Sequence, residues 1–226
     1  MGTNKRAIMV LMLFLGLAVF AYGETLYGLS IGYYRLSEEF LGDDYGRGQN
    51  GINFNFTFNY FAPNKPLGFY GRTSFGTFFT GYEWKGDVDM RPIDNLASDL
   101  RISFAPSYKI ELGSKVNVPV SVGPVFSFYW EEGHGRSDDD PYSYGSFYYE
   151  ALKLGLMADA AIILSLFDSF RWFFLKQGFN LGWDFAHFER GERKTDYRLT
   201  RKTRYDFVPY SAFVFSVYFG IGVKLD

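Results

Sequence analysis

Residues 52–60 alternate apolar and polar side chains without a break. On a strand, successive side chains point to opposite faces. Ile52, Phe54, Phe56, Phe58 and Tyr60 therefore share one face, and Asn53, Asn55, Thr57 and Asn59 the other. A helix would scatter the same aromatics around its circumference. The alternation recurs over residues 27–34, 69–80, 100–112, 116–131, 152–162, 173–185 and 212–224, which makes eight predicted strands. Pro106 and Pro124 fall on apolar-face positions. Proline has no N–H to donate, so both are expected at bulges or unpaired positions.

The segments between the strands carry a second signal. Residues 37–50, 81–98, 132–146 and 189–206 are long and polar and read as loops. Those at 62–68, 113–115 and 166–170 are short and contain Pro63-Asn64, Gly113-Ser114 and Asp168-Ser169. Long and short connections alternate strictly, as an antiparallel up-and-down barrel requires. A soluble barrel of the lipocalin kind would place the apolar face inside. Eight strands enclose only enough room for side chains to fill. That interior cannot hold eight rows of Phe, Leu and Val, whereas Gly, Ser, Asn and a few ions fit. The apolar face is therefore expected outside, against lipid, in an all-β, single eight-stranded transmembrane barrel.

The ends and the composition sharpen this. Lys5 and Arg6 precede an uncharged apolar stretch, residues 7–20, and Ala21-Tyr22-Gly23 is a small-x-small cleavage pattern. Residues 1–23 read as a secretory signal peptide and 24–226 as the mature barrel. Losing Lys5 and Arg6 moves the formal charge from −2 to −4. The mean hydropathy of −0.11 argues against a helical membrane protein. The absence of Cys excludes disulfides and thiolate metal sites. An aromatic content of 21% suits interfacial girdles. Trp84, Trp130, Tyr148, Trp183 and Phe207 are expected at the outer rim, and Tyr60, Phe69, Tyr108 and Trp172 at the inner one.

On these strands and connections the chain resembles the small eight-stranded outer-membrane barrels, the class of OmpX, OmpW and the OmpA membrane domain. The resemblance covers essentially all of 24–226 and rests on architecture, not on a motif. It implies a monomer in the outer membrane, with both termini periplasmic and the long connections extracellular. It also implies contact with outer-membrane lipids and, during biogenesis, with the insertion machinery. Two departures stand out. No peptidoglycan-binding domain follows the last strand, and the chain ends Val223-Lys224-Leu225-Asp226, without the terminal aromatic usual in the class.

The candidate site is a polar network in the lumen: Arg72, Arg101, Lys109, Glu111, Asp159, Lys176, Asp184 and Lys224. Arg72, Lys109 and Glu111 are placed near the periplasmic rim, and Asp159 is placed beside Lys176 across the hairpin near Asp168. Buried ions must be paired and hydrogen-bonded, so the expectation is a structural plug. A gate in a narrow OmpW-like channel for small or hydrophobic molecules is the alternative. His134 and His187 are the only histidines, and His187 takes lipid-facing parity. Barrel lipid A deacylases carry a Ser two residues after their His. Glu189 stands there, so the nucleophile is missing and no catalytic residue is assigned. Nothing calls for a metal or cofactor. The Asp run at 138–140 lacks the spacing and the Gly of a calcium loop, and no nucleic-acid signature occurs.

The last source of information is loop charge. Residues 37–50, 81–98 and 132–146 carry −3, −2 and −3. Residues 189–206 hold Arg190, Arg193, Lys194, Arg198, Arg201, Lys202 and Arg204 against four acidic residues. This basic loop pairs with its acidic neighbours or meets external anions or host ligands. The leading function is therefore a non-enzymatic surface or membrane-stabilising barrel. A channel and a lipid-modifying enzyme stand behind it.

Overall fold

A computed structural model describes residues 23–40, 46–85, 90–137, 144–165, 172–195, 199–208 and 210–225. Side chains are described for 23–37, 48–78, 96–133, 148–165, 172–190, 205–207 and 211–225. The strands are β1 (Glu24–Phe40), β2 (Gly46–Phe61), β3 (Leu67–Lys85), β4 (Met90–Glu111), β5 (Val116–Ser137), β6 (Tyr144–Leu164), β7 (Phe173–Thr195), β8 (Leu199–Val208) and β9 (Tyr210–Leu225). Each pairs antiparallel with its neighbour. β9 returns to β1, β6 pairs with β7, and β7 pairs with both β8 and β9. β8 and β9 are thus two segments of one barrel strand, flanking position 209, a proline without a ladder donor. The result is a closed eight-stranded up-and-down barrel, which leaves its membrane part with no free edge.

Side-chain parity settles which face is outside. Leu29, Phe54, Phe69, Phe104, Val122, Phe126, Phe213 and Phe219 are among the most exposed apolar residues, while Asn53, Asn55, Thr57 and Asn59 are buried. An apolar surface of that extent around a closed barrel calls for lipid, not water. Tyr108, Tyr148, Trp172, Trp183 and Phe207 are exposed near the ends of the band, where amphipathic rings meet the interface. The side chain of Trp84 lies outside the described residues, as do residues 1–22 of the expected signal peptide.

The turns at one end follow their sequences. Lys65 N donates to Ala62 O at 3.0 Å, closing a turn with Pro63 second and Asn64 third. Asn64 has φ of 56°, the positive value a type II turn needs at that position. Gly113 has φ of 129° in the β4–β5 turn. The β4–β5 ladder lapses between Ser103–Val125 and Ser107–Ser121 without changing register. Pro106 and Pro124 both lie in that lapse, unpaired on that side, while on their other sides Pro106 stands in register with Phe69 and Pro124 with Leu156.

At the other end the long polar segments are not loops. β1 runs to Phe40, β2 starts at Gly46, β3 runs to Lys85 and β4 starts at Met90. The remaining two connections likewise shrink to residues 138–143 and 196–198. Backbone pairing does not depend on apolar side chains, so a hairpin that leaves the membrane stays paired in water. The basic segment is accordingly a hairpin. Lys202 lies opposite Gly191, Arg201 opposite Glu192, Thr200 opposite Arg193 and Leu199 opposite Lys194. Arg198 lies outside the described residues, as do the side chains of Arg193, Lys194, Arg201, Lys202, Arg204 and His134 and the Asp138–140 run.

Candidate functional site: the barrel lumen

The inward faces of the strands stack into layers. At the turn end Leu26, Phe61, Ile163 and Phe174 form a buried apolar plug. Beside it Lys109 bonds Glu24 at 2.6 Å and Glu111 at 2.8 Å, while Lys224 stands 3.9 Å from Glu24. Glu111, with 63% of its side chain exposed, stands at the rim as expected, and Lys224 stands at the rim too and not in the interior network.

The first ionic layer centres on Asp159. Arg72 reaches it from β3 on the far wall, Nη1 to Oδ2 at 3.0 Å, and Tyr218 donates its hydroxyl to Oδ1 at 2.9 Å. Asn55 Oδ1 accepts from Arg72 Nε and Nη2 at 3.2 and 2.7 Å. Lys176 donates to Thr57 Oγ1 at 3.0 Å and lies 5.3 Å from the Tyr218 ring centre. Two expectations are corrected here. Asp159 and Lys176 do meet in one layer, but not as register partners, since Asp159 stands opposite Asn180 and Lys176 opposite Ile163. Arg72 pairs in register with Ser103, well inside the barrel, whereas Lys109 and Glu111 of the expected rim trio stay at the turn end, where Lys109 N donates to Pro66 O.

The second ionic layer centres on Arg101. Its guanidinium grips Asp184 with Nη1 to Oδ2 at 2.9 Å and Nη2 to Oδ1 at 2.6 Å, the bidentate geometry arginine favours. Nη1 also lies 3.3 Å from Asp99 Oδ2. Tyr34 and Ser127 both donate hydrogen bonds to Asp99. Between the layers is a cavity of about 10 Å³ lined by Arg72, Ser74, Arg101, Ser103, Met157 and Asn180, among others. That is room for about one water molecule.

Above the second layer the lumen turns apolar again, with Tyr34, Leu36, Phe78, Ala97, Tyr129, Ala151, Ala212 and Val214 packed together. The interior thus holds far larger side chains than Gly, Ser and Asn alone. Sequence parity sorts faces and does not measure the space between opposite walls. At the edge of this apolar layer Gln49 Nε2 donates to Tyr129 at 2.8 Å, and Tyr129 donates to Glu131 at 2.7 Å. The Lys153 ammonium lies 4.2 Å from the Tyr129 ring centre.

His187 does not face lipid. Leu154 pairs with Ala186 but Gly155 pairs with Asp184, so Phe185 is an extra residue in β7. Such a bulge inverts the alternation beyond it. His187 consequently turns inward and is fully buried, with Nε2 2.6 Å from Tyr149 Oη and 3.2 Å from Glu189 Oε2. Chemically this cluster can pass a proton among His187, the Tyr149 hydroxyl and the Glu189 carboxylate. Asp99 and Lys153 were also absent from the sequence-based site. Asp99 has the parity of Arg101 and lies one residue before the predicted start of its strand.

No protein-family model matches the chain, and no curated protein matches its sequence. Among solved structures, the fold is similar to that of a major outer membrane protein from Thermus thermophilus. The TM-score is 0.53 at 14% identity, covering 88% of this chain and 99% of that one. The attachment invasion locus protein of Yersinia pestis aligns with TM-score 0.42 and 15% identity over 90% of this chain and 99% of its own. Neisserial surface protein A aligns with TM-score 0.43 and 8% identity over 88% and 97%. The agreement with the Thermus protein spans nearly the whole of both chains, and together with the lipid-facing belt it makes this chain a small eight-stranded β-barrel of the outer-membrane type.

Proposed function

We propose that this protein is a closed, non-enzymatic barrel of the outer membrane, a scaffold that carries paired hairpins beyond the bilayer. In this reading residues 1–23 are a cleaved signal peptide and residues 24–226 are a single monomeric domain. Both termini and the tight turns face the periplasm, and the long hairpins face outward, where they meet whatever the surface encounters. Outer-membrane lipids are its standing partners, and the insertion machinery is a transient one.

The observation that carries this reading is the filling of the lumen. Tyr34, Tyr70, Tyr129, Tyr218, Phe61 and Phe174 are fully buried inside together with Lys153 and Lys176, and an apolar layer bounds the ionic ones on each side. A pore needs a continuous hydrated path lined by groups that bind ions weakly enough to release them. Here the ions are committed to one another. The bonds that Tyr149 and Glu189 make to His187 favour a structural role for the imidazole. Planar-bilayer recording of the refolded protein tests the proposal. Baseline current is expected, and stable ion-selective openings in the unmodified protein would establish the channel reading instead. Unchanged lipid A processing when His187→Ala replaces the native chain is expected on the same view.

A further inference from the structure

We infer that the cavity between the two ionic layers is a binding site for a single water molecule, held by Arg72, Arg101, Ser103 and Asn180. The inference rests on the closed-barrel reading above and names the ligand that the lumen keeps. Its first ground is a short pattern repeated on neighbouring strands. Arg72-Thr73-Ser74 on β3 and Arg101-Ile102-Ser103 on β4 are both Arg-x-Ser. The antiparallel register sets Arg72 beside Ser103 and Ser74 beside Arg101. Residues two apart on a strand share a face, so all four point into the barrel. Each long side chain therefore stands next to a short one, on a diagonal. The arginines cross the lumen to carboxylates on β6 and β7, Arg72 to Asp159 and Arg101 to Asp184. The serines stay at the wall, and the space left between the two guanidinium arms is the cavity of about 10 Å³.

The second ground is a set of polar groups left over around that space. Ser103 is buried, lines the cavity and makes no hydrogen bond to any described residue. Ser74 accepts only a long bond, from Asn53 at 3.5 Å, so its hydroxyl proton has no acceptor among the described residues. Asn180 Nδ2 donates to Ala158 O at 3.2 Å and lies 3.2 Å from Met157 Sδ. That bond fixes the amide's orientation and leaves Oδ1 an acceptor with no donor among the described residues. A guanidinium has five N–H groups, and three are engaged on Arg72 and three on Arg101. All five side chains are more than nine-tenths buried. Polar groups so placed are normally satisfied by protein or by ordered water.

The leftover groups select the ligand. The arginines only donate, Asn180 Oδ1 only accepts, and the serine hydroxyls do either. The occupant must therefore give and take hydrogen bonds at once. A halide only accepts and would oppose Asn180 Oδ1, while a cation would face two guanidiniums. The layers also balance already, with Arg72, Lys176 and Arg101 against Asp159, Asp99 and Asp184, so no further charge is called for. A cavity of about 10 Å³ holds one water and nothing larger. Water fits in size, in charge and in bonding. Arg72 belongs to the layer nearer the turns and Arg101 to the layer nearer the hairpins, so the same molecule joins the two. The apolar layers on either side slow its exchange with bulk solvent.

The experiment uses the whole barrel refolded in detergent, with heat-modifiable migration verifying the fold of each chain. Oxygen-17 relaxation dispersion of the solvent counts water molecules held for longer than the micelle takes to tumble. Ser103→Val and, separately, Ser74→Val fill the cavity with hydrocarbon, so either one serves if the other fails to fold. The native barrel should hold one more long-lived water than each folded valine variant. Chloride-35 linewidths on the same samples test the rival ligand, and native and variant barrels should broaden the signal equally. Equal water counts in native and filled barrels overturn the inference. So does excess chloride broadening confined to the native chain, which would assign the cavity to an anion. Either result, with bilayer current still at baseline, leaves the closed-barrel reading in place. Stable bilayer openings, with no long-lived water in any chain, would overturn that reading and this one together.

Discussion

Two ionic layers face each other across a water-sized cavity in the lumen, built from the same chemistry in opposite proportion. In the layer nearer the turns, two cations, Arg72 and Lys176, surround one anion, Asp159. In the layer nearer the hairpins, two anions, Asp99 and Asp184, surround one cation, Arg101. With every group ionised the layers carry +1 and −1, so each is satisfied partly within itself and partly by the other. The comparison teaches that the layers are not interchangeable ion pairs. Each has one pivot, and the cost of losing a residue depends on whether it is the pivot or the surplus.

The largest expected effect is at the first pivot. Asp159→Asn strands two buried cations and costs about 3–5 kcal/mol, the penalty of an uncompensated buried charge. Urea unfolding in vesicles, followed by loss of heat-modifiable migration, measures it. Arg101→Gln strands Asp99 and Asp184 and should cost a similar or slightly smaller amount, since Tyr34 and Ser127 still donate to Asp99. Tyr218→Phe removes one hydrogen bond to the charged Asp159 and should cost about 1.5–3 kcal/mol in the same assay. Lys176→Met removes only the surplus cation and fills similar volume. It should change stability by less than about 1 kcal/mol in either direction, and it should relieve part of the loss in Asp159→Asn. If Lys176→Met proves as damaging as Asp159→Asn, the distinction between pivot and surplus is wrong.

The fold was legible because alternation with period two is a local property, and the bulk of one face excluded the only interior that could have held it. The Asn-rich strand shows how far that legibility reaches. Its phenylalanines do face outward. Its polar row does bond inside, Asn53 with Ser216, Asn55 with Arg72, Thr57 with Lys176 and Asn59 with Ser107. Which residues meet across the lumen was not legible, because Arg72 and Asp159 lie on strands that are not neighbours and no spacing along the chain encodes their approach. His187 was misread because one extra residue, Phe185, inverts parity, and a bulge leaves no mark on an otherwise regular pattern. The polar ends of the strands read as loops because side-chain alternation fades where no lipid enforces it, although the backbone ladder continues.

The central claim, a lumen filled and sealed around these layers, is open to direct measurement because the chain contains no cysteine. Ser74→Cys and Ser103→Cys each place one thiol on the wall of the cavity between the layers, and Lys65→Cys places one on an exposed turn as a reference. In the refolded barrel, a charged water-soluble thiol reagent should label the turn rapidly and leave both lumen positions unmodified until the protein is unfolded. Labelling of the lumen thiols in the folded barrel at a rate close to that of the turn would contradict the account.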